Sequence, residues 1–257
     1  SVTTIGQGAF FIAGKLKTTN FPKTTIIESG AFQYCVSLET AYFPNASTIG
    51  DEAFKGCDLL TTADFPNATT IENYAFLDCT SLTNADFPKA ITIGESAFED
   101  CTSLTNATFP NAITIGTRAF FLCKFLETAT FPNAITIGKR AFKNCAIINA
   151  DFPSVTTIGQ SAFFIAGKLK TTNFPKTTII EGGAFQYCNS LDTAYFPNAT
   201  TIGNQAFKGC DLLTTATFPN AATIADNAFL DCTLLTNADF PNAATIGDNA
   251  FQGCNSL

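Results

Sequence analysis

The chain has 257 residues, with 14 basic and 21 acidic side chains, a formal net charge of −7, and no histidine, tryptophan or methionine. A chain of this length buries a core easily. Its scattered bases make no patch for a phosphate backbone, so nucleic acid is not an expected partner. No run of about 18 apolar residues is present, so no membrane insertion is expected in this segment.

The lack of histidine removes the commonest general base and metal ligand, so neither an enzyme nor a cofactor is expected. No secretory leader is visible, and the first residue is Ser1, which points to a processed product or an excised segment.

The elements, taken in chain order, are copies of one short phrase. Phe-Pro recurs at Phe21, Phe43, Phe65, Phe87, Phe109, Phe131, Phe152, Phe174, Phe196, Phe218 and Phe240. Every step is 22 residues except the one from Phe131 to Phe152, which is 21. Ala-Phe recurs in the same phase twelve times, from Phe10 to Phe251. All ten cysteines lie three residues after an Ala-Phe phenylalanine, and Ala13 and Ala166 fill that slot in the other two copies. The short step loses a residue near Ala146–Asn149 and predicts a tightened turn in the copy near 143–152. Residues 1–104 return at 154–257 with 84 of 104 positions identical. The differences include Glu52→Gln205, Tyr74→Asn227 and Asp100→Gly253, which read as solvent-facing slots.

Within a copy, Leu104-Thr-Asn-Ala-Thr-Phe109 alternates with period two and reads as a short strand that Pro110 ends. Ala-Ile-Thr-Ile-Gly is a second extended piece, anchored by Ile115, with Gly116 allowing a turn. Arg118–Cys123 reads as one helical or 3₁₀-like turn. A lone copy buries too little to offset its ordering entropy, whereas stacked copies cover each other's apolar layers. The chain is therefore read as one continuous array over 1–257.

The pattern L-x-x-A-x-F-P-x-A-x-T-I-G-x-x-A-F-x-x-C resembles the BspA-like leucine-rich repeat, above all in its A-F-x-x-C. The resemblance implies a leucine-rich-repeat solenoid: a right-handed superhelix of about twelve coils, with a parallel β-sheet on the concave face and short strands and 3₁₀ or helical turns on the convex face. It also implies an extracellular or cell-surface protein acting in adhesion. The expected function is then a non-catalytic protein- or glycan-binding module whose partners are host matrix or cell-surface proteins or glycans. The alternative is a structural spacer or stalk without its own ligand.

The cysteines, Cys35, Cys57, Cys79, Cys101, Cys123, Cys145, Cys188, Cys210, Cys232 and Cys254, read as a buried reduced ladder. Metal sites gather cysteines within a few residues of each other, and here none are closer than 22, so no metal is expected. Partial disulfides remain the alternative, although parallel Cβ vectors oppose them. Asp is too sparse for a calcium repeat, and the mixed outward slots argue against ice binding. The acidic pairs Asp51-Glu52 and Glu99-Asp100 read as a solvated face.

The outward strand slots, two and four residues after the repeat Leu, mix Thr and Asn with a few Tyr and Asp. The candidate binding residues are Tyr42, Asp64, Asn84 and Asp86, with Tyr195, Asn237 and Asp239 in the duplicate, where Thr217 replaces Asp64. No terminal cap is visible, which suggests end-to-end self-association.

Overall fold

The computed structural model describes residues 2–257. Two compact units divide the chain, Ser1–Phe131 and Pro132–Leu257. Both are parallel-strand solenoids, and the chain makes about eleven turns of 22 residues, one for each of its eleven three-residue strands. The expected count of about twelve came from the Ala-Phe slot. The three-residue strand occurs once fewer.

The first unit stacks the two-residue strands Thr4–Ile5, Ile26–Ile27, Thr48–Ile49, Thr70–Ile71, Thr92–Ile93 and Thr114–Ile115 in one parallel ladder, inner Ile on inner Ile. The second unit does the same from Thr136–Ile137 to Thr245–Ile246. This second extended piece is thus the continuous one.

The Leu-led strands, expected to form the main sheet, have only three residues each and form shorter sheets. In the first unit Thr18–Asn20, Thr40–Tyr42 and Thr62–Asp64 make one sheet, and Asn84–Asp86, Asn106–Thr108 and Thr128–Thr130 another. In the second unit Asn149–Asp151 pairs with Thr171–Asn173, and Thr193–Tyr195, Thr215–Thr217 and Asn237–Asp239 form a separate sheet. Proline after each Phe ends the strand because it has no N–H for the ladder.

Two columns of Phe fill the core. In the first unit the Ala-Phe rings from Phe10 to Phe120 stack at 4.9–5.3 Å, tilted by no more than 8°. The Phe-Pro rings meet them at steep angles, as for Phe109 against Phe120 at 5.8 Å and 67°. Offset stacks within a column and edge contacts between columns are both favourable arrangements of the ring quadrupole. The repeat Leu, Ile, Ala and Cys slots close the core around them.

The Arg118–Cys123 type of segment is not helical, and no helix occurs among the described residues. It is a chain of tight turns. In the copy around Phe54, the N–H groups of Ala53, Lys55 and Cys57 donate to the carbonyls of Gly50, Glu52 and Phe54 at 3.1–3.2 Å. The alternate N–H groups, of Glu52, Phe54 and Gly56, donate to Asn73, Ala75 and Leu77 of the next coil at 2.8–3.0 Å. All six donors are satisfied, as burial of a backbone requires.

This alternation needs positive φ two residues before and two after each Ala-Phe phenylalanine, as at Glu52 (56°) and Gly56 (68°). Such residues interrupt a right-handed helix. Gly116 has a different role from the turn expected of it: a Cβ there would lie 2.4 Å from the Gly94 carbonyl oxygen, so the slot is small because two backbones approach closely.

In the short copy the missing residue comes out of the turn after the cysteine. Cys123 is followed by exposed Lys124 and Phe125 before Leu126, whereas Cys145 is followed directly by buried Ala146 and Ile147.

Candidate interaction face

Most polar side chains that recur with the repeat are tied to the coil before them. The Asn of Phe-Pro-Asn donates its amide to the preceding copy's proline carbonyl at 2.6–2.7 Å, as Asn45 does to Pro22 and Asn198 to Pro175. Ser47 and Thr69 donate to Thr25 and Ser47 carbonyls, and Thr61 and Thr105 to Glu39 and Thr83 carbonyls. The sequence reading did not separate these structural polar groups from functional ones. The signal available for doing so was their recurrence at one slot.

The cysteines belong to the same scheme. All ten are free thiols; nine are buried and Cys254 is half-exposed. Nine thiols donate to the preceding copy's Phe carbonyl at 3.0–3.2 Å, as Cys57 does to Phe32. The Phe32 carbonyl also accepts the N–H of Cys35, so both of its lone pairs are used. Burial pushes the thiols of Cys57, Cys79 and Cys101 far up, and that of Cys210 to about 12. Such thiols are poor nucleophiles and poor metal ligands. Among the described residues no group of three or more Cys, Asp and Glu is placed to hold a metal ion.

The acidic pairs are not a simple solvated face. Glu99 is only 8% exposed and is ion-paired to Arg118 of the next coil, whose guanidinium lies 4.5 Å from the centre of the Phe121 ring. Glu52 accepts from Lys55 at 2.7 Å and from Gln33 at 2.8 Å, and the Lys55 bond holds its carboxyl below the ordinary range. Asp100 is half-buried, and its burial, followed by the charge of Asp78, pushes its carboxyl up. The duplicated slots Glu52/Gln205, Tyr74/Asn227 and Asp100/Gly253 are likewise half-buried, and all six residues have positive φ. They are half-buried turn positions with a left-handed backbone rather than fully solvent-facing slots.

The strand face carries the sequence-predicted residues. On each three-residue strand the middle residue points inward and the outer two point out. Tyr42 is 43% exposed and stands in register beside exposed Asp64. Asn84 and Asp86 lie one coil further on, both exposed, with Asp86 in register with Thr108. The structure therefore gathers Tyr42, Asp64, Asn84 and Asp86 on one face of the first unit.

Asn84 is partly tied down, since its Oδ1 accepts from Asn106 at 3.1 Å. Tyr42, Asp64 and Asp86 have no side-chain hydrogen bond or ion pair among the described residues. In the second unit Tyr195, 57% exposed, pairs in register with Thr217, and Thr217 with Asp239, with Asn237 beside Thr215. Tyr195 and Asp239 are thus separated by an uncharged residue.

A parallel-strand solenoid with a Leu, an Ile and two Phe per 22-residue coil defines the leucine-rich-repeat class. The chain belongs to the BspA-type leucine-rich repeat proteins: the family described as "BspA type Leucine rich repeat region" matches in 6 copies over residues 1–92, 47–170 and 135–257. Among solved structures the chain is similar to a leucine-rich repeat protein from Bacteroides ovatus, at 26% identity and TM-score 0.64, covering 100% of this chain and 81% of that one. It is also similar to the leucine-rich repeat protein of T. pallidum, at 24% identity and TM-score 0.52, covering 69% of this chain and 79% of that one. A leucine rich cell surface protein from Faecalibacterium prausnitzii matches at 24% identity and TM-score 0.44, covering 95% of this chain and 84% of that one. No curated protein matches. Proteins of this repeat family are generally non-enzymatic, and no helix among the described residues is long and apolar enough to cross a membrane.

Proposed function

We propose that the chain is a non-catalytic binding module of a cell-surface protein, engaging host matrix or cell-surface proteins or glycans through the outward face of its three-residue strands. One observation carries this reading. Tyr42, Asp64 and Asp86 stand exposed with none of the backbone bonds that occupy the recurring Asn, Thr and Cys side chains. An exposed Tyr beside hydrogen-bonding groups is a common interface anchor, and extended sheet faces are the usual binding surfaces of solenoids.

The test is binding of the purified chain to a panel of matrix proteins and glycans, alongside a Tyr42→Ala/Asp64→Ala/Asp86→Ala variant. Saturable binding that this variant loses while keeping its fold supports the module. Absence of binding to the whole panel favours a spacer, a second reading that draws on the near-identity of residues 1–104 and 154–257.

A further inference from the structure

We infer that the strand face opens and closes at two built-in joints, one in each unit, each swinging about the ladder of two-residue strands. The joints stand apart from the function proposed above; only their effect on binding rests on it.

The first joint lies between Thr62–Asp64 and Asn84–Asp86, and the second between Thr171–Asn173 and Thr193–Tyr195; at both, the sheet of three-residue strands stops. Where that sheet continues, the residue after the repeat Leu donates its N–H to the coil before it. Thr61 does so to Glu39 at 3.0 Å, Thr105 to Thr83 at 2.9 Å and Thr214 to Asp192 at 2.8 Å. The Phe-Pro phenylalanine donates to the coil after it, as Phe43 does to Asp64 at 3.1 Å and Phe196 to Thr217 at 3.2 Å. Among the described residues neither bond crosses a joint: Thr83 and Phe65 lack it at the first, Asp192 and Phe174 at the second. The rings beneath spread as well. Phe65 and Phe87 are 6.0 Å apart, between steps of 5.4 Å on either side. Phe174 and Phe196 are 5.7 Å apart, between steps of 5.4 and 5.3 Å.

Elsewhere the same coils stay in contact. Thr70–Ile71 pairs with Thr92–Ile93, and the Gly94 N–H donates to Ile71 at 2.9 Å. Ile179–Ile180 pairs with Thr201–Ile202, and the Gly203 N–H donates to Ile180 at 2.8 Å. The Ala-Phe rings keep their stacking distance, 5.2 Å for Phe76 on Phe98 and 5.1 Å for Phe185 on Phe207. Coils held along one ladder and parted along another strand swing as leaves on a hinge, with the Ile ladder as its line.

The open and closed states lie close in free energy, because one set of strand residues takes both. Thr18–Asn20 and Thr40–Tyr42 repeat the residues of the second joint, yet they pair, and the Glu39 N–H donates to Lys17 at 2.7 Å. That copy is itself part-way: the Phe21 N–H makes no such bond, and its ring is 5.8 Å from Phe43. The nearest difference in sequence is Glu39, which meets Lys17 at 3.5 Å, against the shorter Asp192. An exposed ion pair of this kind is weak. The candidate binding residues straddle the joints. Tyr42 and Asp64 stand on one side of the first, Asn84 and Asp86 on the other, and Tyr195 stands at the edge of the second. A partner that spans a joint selects one of its states, so the swing sets the spacing that the partner must match.

Amide exchange and relaxation dispersion, both resolved by residue in NMR of the intact chain without ligand, test the joints. Phe65, Thr83, Phe174 and Asp192 are expected to exchange about fivefold faster than Phe43, Thr105, Phe196 and Thr214. The same four are expected to show dispersion from motion in microseconds to milliseconds. Gly94 and Gly203, on the hinge line of each joint, are expected to stay as slow as Gly50 and Gly116. Equal protection on both sets overturns the inference, because the joints are then closed. Fast exchange without dispersion overturns it too, because the gaps are then fixed. Fast exchange at Gly94 and Gly203 means that whole coils part rather than swing, and is equally fatal. The strand-face reading is decided separately by the binding panel, whose outcome leaves these amide measurements untouched.

Discussion

Raising the pH tests the thiol ladder directly. Cys57, Cys79, Cys101, Cys188 and Cys210 are buried, and burial is the leading cause that lifts each thiol, to about 12 for Cys210. In the unfolded chain these groups ionise near the ordinary value of about 8.5. Above that pH the unfolded chain releases protons that the folded chain keeps, so stability falls as pH rises; below it the thiol contribution is fully present. Each thiol shifts the balance by about 1.4 kcal/mol per pH unit until the pH reaches its folded value. Five thiols therefore cost about 7 kcal/mol one unit above the unfolded value, comparable to the whole stability of a typical domain, about 5–15 kcal/mol. Urea unfolding followed by circular dichroism from pH 7 to 10.5 reads this as a midpoint that is level and then drops steeply. Cys101→Ala, a replacement already present at Ala166, starts less stable but declines about 1.4 kcal/mol per unit less steeply. A level midpoint up to pH 10, or the same slope in Cys101→Ala, refutes the ladder as the origin of alkaline sensitivity.

Three further outcomes are expected. Gly209 has φ of 65°, and a Cβ there would lie 2.5 Å from Cδ1 of Tyr187; Gly30 has φ of 62° but no neighbour closer than 3.4 Å. Gly30→Ala is expected to cost about 1 kcal/mol for backbone strain and Gly209→Ala about 2–4 kcal/mol with overpacking added. A cycle with Tyr187→Ala in urea unfolding should recover the difference, and equal costs for the two glycines would contradict the steric part. Phe98 stacks between Phe76 at 5.2 Å and Phe120 at 5.3 Å, so Phe98→Ala is expected to cost about 3–5 kcal/mol, with amide exchange rising first in the adjoining coils. Asp64→Thr removes one of two exposed carboxylates on neighbouring coils and is expected to stabilise the first unit by roughly 0.2–1 kcal/mol at low salt, a gain that shrinks as salt is added; a loss of stability would show that the two carboxylates do not repel.

The core was legible in the sequence because each apolar slot keeps one spacing. Leu104, Phe109, Ile115, Phe120 and Cys123 all fall inside, where their phase puts them. The strand face was legible for the same reason, through the alternation around Ala107. What stayed hidden depends on contacts one coil away. Glu99 looked exposed because its partner, Arg118, lies 19 residues on. The left-handed turns escaped notice because Glu, Tyr, Arg and even Ile12 occupy them as well as Gly. Their trace was nevertheless present in the duplicated halves, where Gly8 becomes Ser161 and Asp100 becomes Gly253. Gly116 looked like a turn former because a glycine needed for close approach and one needed for positive φ are the same letter in a sequence.

Recurrence has a particular meaning in this protein. A polar side chain that returns in every coil meets the same backbone carbonyl in every coil, and the Asn45, Thr61 and Cys57 ladders show where its hydrogen bond goes. Such residues are part of the scaffold and leave little for a partner. A polar residue that breaks the recurrence has no guaranteed bond within the coil stack. Some of these find a local partner, as Glu99 does in Arg118 and Asn173 in Asp151. Tyr42, Asp64 and Asp86 do not, and they occur together on one face. The duplication does not tie the sheet break beside Asp64 to its charge, because Thr171–Asn173 and Thr193–Tyr195 are uncharged and lie in separate sheets, while their identical copies Thr18–Asn20 and Thr40–Tyr42 pair.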